Sequence, residues 1–123
     1  MKIRLFLALS LLTAALSCRD EDSLTRHLAC GVRDPLNNLP WLKAQMDDAR
    51  QKKEENITTV VATEFKGQQY IRVYKMYMSC SFCALYTCDG NPVDMSGLST
   101  ADQQALIKQV TEGQKQVTLW PER

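Results

Sequence analysis

Histidine occurs once in this sequence, at His27, and the five glycines are scattered along it. The lone histidine has no Ser/Asp set beside it, so nucleophilic and acid–base catalysis lack their usual parts. The scattered glycines form no glycine-rich loop to cradle a phosphate. Neither sign of charge is in excess: 15 Lys and Arg stand against 14 Asp and Glu, a formal net charge of +1. Nothing in that balance draws the chain to nucleic acid. Beyond residue 16 no apolar run is long enough to cross a membrane. Glu54, Glu55 and Glu64 read as charge at the ends of secondary structure rather than as a catalytic pair. These absences lead to the expectation of a protein that is not an enzyme and carries no cofactor.

What is present begins with "MKIRLFLALSLLTAALSCRDED". Lys2 and Arg4 make a short basic segment, and residues 5–16 are apolar except for Ser10 and Thr13, which is a secretory signal pattern. "ALSC" places small residues directly ahead of Cys18. This resembles a bacterial lipobox, cut before a cysteine whose sulfur takes a diacylglycerol anchor, with a further palmitate-type chain. Ala15 and Leu16 are looser than the commonest form. The rival reading is ordinary secretory cleavage with Cys18 left unmodified. The expected organisation is a signal peptide over 1–17, a lipidated tether over 18–29 and a single domain over 30–123. Cleavage would remove Lys2 and Arg4 and no acid, taking the formal charge from +1 to −1. Acyl chains would make the membrane a partner, and two or more of them anchor stably where one does not. Arg19, in place of Asp, favours the outer membrane over retention at the inner one. The acidic run Asp20, Glu21, Asp22 reads either as a surface-export signal or as a solvated tether, so the side of the membrane stays open.

With Cys18 assigned to lipid, Cys30, Cys80, Cys83 and Cys88 remain. An even number outside the cytoplasm reads as two disulfides, with three connectivities to choose from. His27 and Cys30 with Cys80 and Cys83 also spell a Cys3His zinc set. Cys80 and Cys83 alone spell a redox C-x-x-C. Both are set against an oxidising compartment and a motif that runs into a strand rather than a helix.

Periodicity supplies the fold. Leu42, Met46 and Ala49 recur at i, i+4, i+7 and predict an amphipathic helix over about 40–54, with Pro40 in its first turn. "NITTVVATEF" and "QYIRVYKMYM" alternate as strands around a "KGQ" turn, and "CALYTC" is a third strand stopped by "DGNP". In the second strand Ile71, Val73 and Tyr77 fall on one side, with Tyr70, Arg72, Tyr74 and Met76 on the other. "STAD" is a capping-box pattern ahead of a helix ending near Gly113. "QVTLW" is a last strand, ended by Pro121. The expected class is α+β: an antiparallel meander of about four strands with two helices in the order α-β-β-β-α-β, the helices mainly on one face.

That topology constrains the sulfurs. Sequential strands lie side by side, so the loop holding Cys80 and Cys83 falls near the C-terminal end of the first helix. Cys88, about 17 Å further along the third strand, falls near its N-terminal end. Cys30 is therefore expected to pair with Cys88, leaving Cys80 and Cys83 to close locally. The zinc set is weakened by the same separation.

"CGVRDPLNNLPWLK", followed by a meander carrying C-x2-C and Y-x-CDG, resembles a group of small Gram-negative lipoproteins of no assigned activity. In that group a "CG…PL…LPWL" opening precedes a helix and a cysteine-bearing sheet. The likeness spans residues 30–90 and implies fold and location rather than chemistry. It stops at the C-terminal part, where "NPVDMSG" brings no further cysteine. Tyr70, Arg72, Tyr74 and Met76 remain as a candidate binding face, since Tyr, Arg and Met are enriched at interfaces. The expected function is a non-enzymatic envelope or surface binding lipoprotein with a protein partner. The alternative is a thiol-active or metal-binding protein using Cys80 and Cys83.

Overall fold

The structure is a computed structural model and describes residues 28–80 and 83–121. The elements are β1 (Leu28–Ala29), β2 (Val32–Arg33), α1 (Pro35–Asn38), α2 (Pro40–Gln51), β3 (Thr58–Phe65), β4 (Gln68–Lys75), β5 (Leu85–Thr87), α3 (Thr100–Glu112) and β6 (Gln116–Trp120). The class is α+β. Strands β1 and β2 form a small hairpin, and the other four form an antiparallel sheet in the order β5-β4-β3-β6. Leu28 and Ala29, read from the sequence as the end of the tether, belong to the folded unit, and Ala29 is buried in its core.

Helix α2 starts at Pro40, where a missing N–H costs nothing, and buries Leu42, Met46 and Ala49. It stops at Gln51 rather than near 54. Lys53 adopts a left-handed conformation (φ 57°), and the Glu54 N–H turns back to the Ala49 carbonyl at 2.7 Å, closing the helix end. Strands β3 and β4 join through Lys66 and Gly67, both at positive φ (51° and 75°), as a tight two-residue hairpin requires. Ser99 caps the α3 N-terminus, which is the first half of the capping box that "STAD" spells: its side chain accepts from the Asp102 N–H at 3.2 Å, while the Asp102 carboxylate accepts from Lys66.

Each face of the sheet carries its own core. Val60, Ala62, Ile71 and Val73 pack with Leu42 and Met46 of α2 and with Leu36 and Leu39. On the other face Leu85, opposite Arg72, packs with Leu106 and Val110 of α3, and with Phe65 and Tyr70. The expectation that both helices share one face is therefore corrected. The connection from β5 to β6 must pass from one sheet edge to the other, and it carries α3 across the face that α2 leaves open. Central β3 is accordingly buried on both sides over four successive residues, Val60, Val61, Ala62 and Thr63.

Two details lock the end of the sheet where the chain enters. The Trp41 indole N–H donates to the Cys88 carbonyl at 2.9 Å. Gly90 sits at φ 86°, with the Trp41 ring where a Cβ would be, so that position needs glycine on both backbone and packing grounds. In β6 the register shifts opposite Val60 and Val61. That bulge lets the successive residues Leu119 and Trp120 both pack on the α2 side.

Candidate functional site

Cys30 and Cys88 are disulfide-bonded (Cα–Cα 5.6 Å), as are Cys80 and Cys83 (Cα–Cα 5.3 Å). The first bond joins the β1–β2 turn to the end of β5, beside Gln69; the Gln69 side chain also accepts from the Cys30 N–H. The second closes a turn at the opposite end of the sheet, beyond Lys75. About 17 Å of extended chain separates Cys83 from Cys88. Cys30 thus lies at the far end of the sheet from Cys80 and Cys83 and cannot join them around one zinc ion. His27 and the lipidation candidate Cys18 lie outside the described residues. Among the described residues no three of His, Cys, Asp and Glu converge on one point. No described helix is long and apolar enough to cross a membrane.

The candidate binding face is divided by α3. Tyr70 is half-buried against the α3 cluster. Arg72 and Tyr74, further along β4, are also half-buried, and the Arg72 guanidinium lies 5.9 Å from the centre of the Tyr74 ring. Burial lowers the Arg72 pKa from its ordinary value, with the neighbouring Tyr74 acting weakly the other way. Its Nε, and the Oγ1 atoms of Thr63 and Thr87 on the same face, have no hydrogen-bond partner among the described residues. Met76 lies beyond the strand end and is 70% exposed.

Sequence alternation placed Tyr77 with Ile71 and Val73, on the buried side. The strand instead ends at Lys75. Its carbonyl accepts from the Met78 N–H at 2.9 Å, so Met76 and Tyr77 occupy the corners of a tight turn. Tyr77 is 64% exposed, which adds it to the candidate surface. The Tyr74 hydroxyl donates to the Met78 carbonyl at 3.1 Å and holds this turn against the sheet. A separate open groove of about 660 Å³ between the β3–β4 hairpin and α3 is lined by charges of both signs, Lys66, Lys108 and Lys115 with Glu64 and Glu112. It contains none of the cysteines and none of Tyr70, Arg72, Tyr74 and Met76, and of the carboxylates weighed from the sequence it takes in Glu64 alone.

The base of the turn is held electrostatically. The Lys75 ammonium donates to the Glu54 carboxylate, both side chains largely buried. That hydrogen bond raises the Lys75 pKa above its ordinary 10.5. Since the folded state favours the protonated amine, the stabilisation is complete below 10.5 and is lost as pH rises through the folded-state value. Melting temperatures of wild type and Lys75→Met are therefore expected to differ at neutral pH and to converge in the alkaline range above 10.5. A gap that stays constant across that range would show that the ion pair is not its source.

No protein-family model, curated protein or solved structure matches the chain.

Proposed function

We propose that this protein is a lipid-anchored, non-enzymatic envelope lipoprotein that binds another envelope or extracellular protein through the 75–79 turn and the adjoining Arg72–Tyr74 edge. The observation that carries the reading is the position of Met76 and Tyr77. They are two of the three large apolar side chains exposed among the described residues, they are adjacent, and they crown the sheet end opposite the Cys30–Cys88 bond. The described chain begins at Leu28, at the Cys30 end. From the end where the described chain begins, the turn lies about 20 Å away along β4, given its extended rise per residue. Two disulfides in one small unit suit an oxidising compartment. The "ALSC" motif supports lipidation, and Arg19 supports the outer membrane. A second reading, thiol exchange with a partner protein, is favoured by the exposed position of Cys83 in its short disulfide loop.

The anchor is tested by Cys18→Ala. The variant is expected to lose labelling by a fatty-acid probe and to leave the membrane fraction; retention of both sinks the lipoprotein reading. The surface is tested by a photo-crosslinking residue at position 77, with position 104 on the exposed side of α3 as control. A defined adduct is expected from position 77 alone, competed by excess Cys18→Ala protein but not by the same protein carrying Met76→Ala and Tyr77→Ala. Adducts from both positions alike, or competition by both proteins alike, would reject this surface.

A further inference from the structure

The loop beyond β4 reads "MYMSCSFC", and it concentrates sulfur: Met76, Met78, Cys80 and Cys83 lie within eight positions. The other described methionines have packing roles. Met46 is fully buried under α2, and Met95 packs against the α3 cluster. Met76 is 70% exposed and contributes little to any core. Two hydrogen-bonded turns follow one another along this stretch. The Met78 N–H donates to the Lys75 carbonyl (2.9 Å), and the Cys83 N–H donates to the Cys80 carbonyl (3.3 Å). The first turn is tied to the sheet by the Met76 N–H, which donates to the Ile57 carbonyl at 3.0 Å. Cys80 and Cys83 have Cα atoms 5.3 Å apart. Met78 is two residues from Cys80, a Cα separation of at most about 7 Å, within the span of its flexible side chain.

We propose that Met76, Met78, Cys80 and Cys83 form a binding site for a soft monovalent cation of the Cu(I) class, open only when the Cys80–Cys83 disulfide is reduced. Thiolate and thioether sulfur select Cu(I), whereas imidazole and carboxylate serve the harder divalent ions. No His, Asp or Glu occurs between Met76 and Ala84, so sulfur supplies the strong side-chain metal donors of the loop, beside neutral hydroxyls only. Two thiolates compensate the cation's charge, and the two neutral thioethers complete a sulfur shell. The disulfide closes the site because both of its sulfurs are engaged in the S–S bond. Opening takes two electrons and two protons from a dithiol: protein disulfide plus dithiol gives two protein thiols plus the donor's disulfide. Cu(I) then displaces both thiol protons and binds the two thiolates. The site shares Met76 and the 75–79 turn with the partner surface proposed above, but crosslinking at position 77 and Cu(I) transfer are separate readouts, so either can fail alone.

The test uses the full chain with Cys18→Ala throughout, so that its sulfur does not compete. The protein is reduced anaerobically until alkylation and mass measurement count two free thiols, with Cys30–Cys88 intact. Cu(I) is supplied from a coloured bidentate chelator. Reduced protein is expected to withdraw one Cu(I) per chain. The Met76→Leu/Met78→Leu variant should bind more weakly by about tenfold or more, given that losing even supporting groups weakens metal sites on that scale. Its melting temperature should be unchanged, and zinc affinity should not respond to the methionines. Met76→Leu alone, altering an exposed side chain, serves should the double variant fold poorly. Wild-type affinity in these variants overturns the proposal, as does a reduced protein that leaves Cu(I) with the chelator. Equal binding by the oxidised protein also overturns it, because the cysteines would then play no part.

Discussion

Cys30→Ser and Cys88→Ser are each expected to destabilise the protein by about 4 kcal/mol, the loop-closure value for a bond spanning 58 residues. Typical domains are stable by about 5–15 kcal/mol, so the loss is a large fraction of the whole. In thermal melts it corresponds to a fall on the order of 20 °C for a unit of this size. The double variant should lose little more than either single one, because the two sulfurs act as one interaction. Cys80→Ser should cost much less, since its bond spans a sequence separation of only 3 and constrains little unfolded chain. The Cys30–Cys88 bond also carries neighbours with it: the Cys88 carbonyl accepts from Trp41, and Gly90 packs under the same ring. Non-reducing peptide maps joining Cys30 to Cys80 or Cys83 would reject the pairing. Fully additive losses in the double variant would show that the two cysteines act separately.

The placement of this bond is legible in the sequence because it follows from strand order. Once β3, β4 and β5 are taken as a meander, Cys88 falls at the level of the α2 N-terminus, and Cys30 lies upstream of that helix, ten residues ahead of Pro40. Local chemistry was equally direct at Pro40, Lys66-Gly67 and Ser99, where one or two residues decide a backbone conformation. The second helix was misplaced for a different reason. Alternation in β4 alone, with Tyr70, Arg72 and Tyr74 between Ile71 and Val73, reads as one covered face and one wet face. The contrary signal sat in β3: "VVA" is an unbroken apolar run, which fits a strand buried on both sides. The interior of a sheet reports coverage better than a strand near its edge, where longer polar side chains reach solvent past the covering helix. The bulge in β6 and the early end of β4 were not legible. Both break the period of two without any glycine or proline inside the strand to mark the break, and Tyr77 moved from the expected core to the surface as a result.

Coverage of both faces has a consequence for the candidate surface. Helix α3 takes Tyr70 into a cluster with Leu85, Leu106 and Val110, while Arg72 and Tyr74 remain half-buried and Met76 and Tyr77 project past the strand. The open surface is thus a tip with a short margin of sheet rather than a broad β-face. A tip suits insertion into a concave partner. A broad face would suit stacking against a flat one. The placement of α3 decides between these shapes, so the packing of α3 is worth measuring directly.

Leu106→Ala is expected to cost about 3 kcal/mol, within the range of about 2–5 kcal/mol for a buried leucine cut to alanine, and on a par with Leu42→Ala beneath α2. Both side chains are almost completely buried, 1% and 0% exposed. Leu106 meets Val110 on its own helix and Leu85 on β5, so its removal leaves a cavity lined by groups from two elements that cannot both close in. Gln104→Ala, on the exposed side of the same helix, should change stability by no more than about 0.5 kcal/mol. Urea unfolding of the three variants provides the measurement, with unchanged denaturant slopes required for the comparison. If Leu106→Ala falls with Gln104→Ala while Leu42→Ala remains costly, α3 does not pack on the sheet. Tyr70 would then lie open beside Arg72 and Tyr74, and the binding surface would be the broad face rather than the tip.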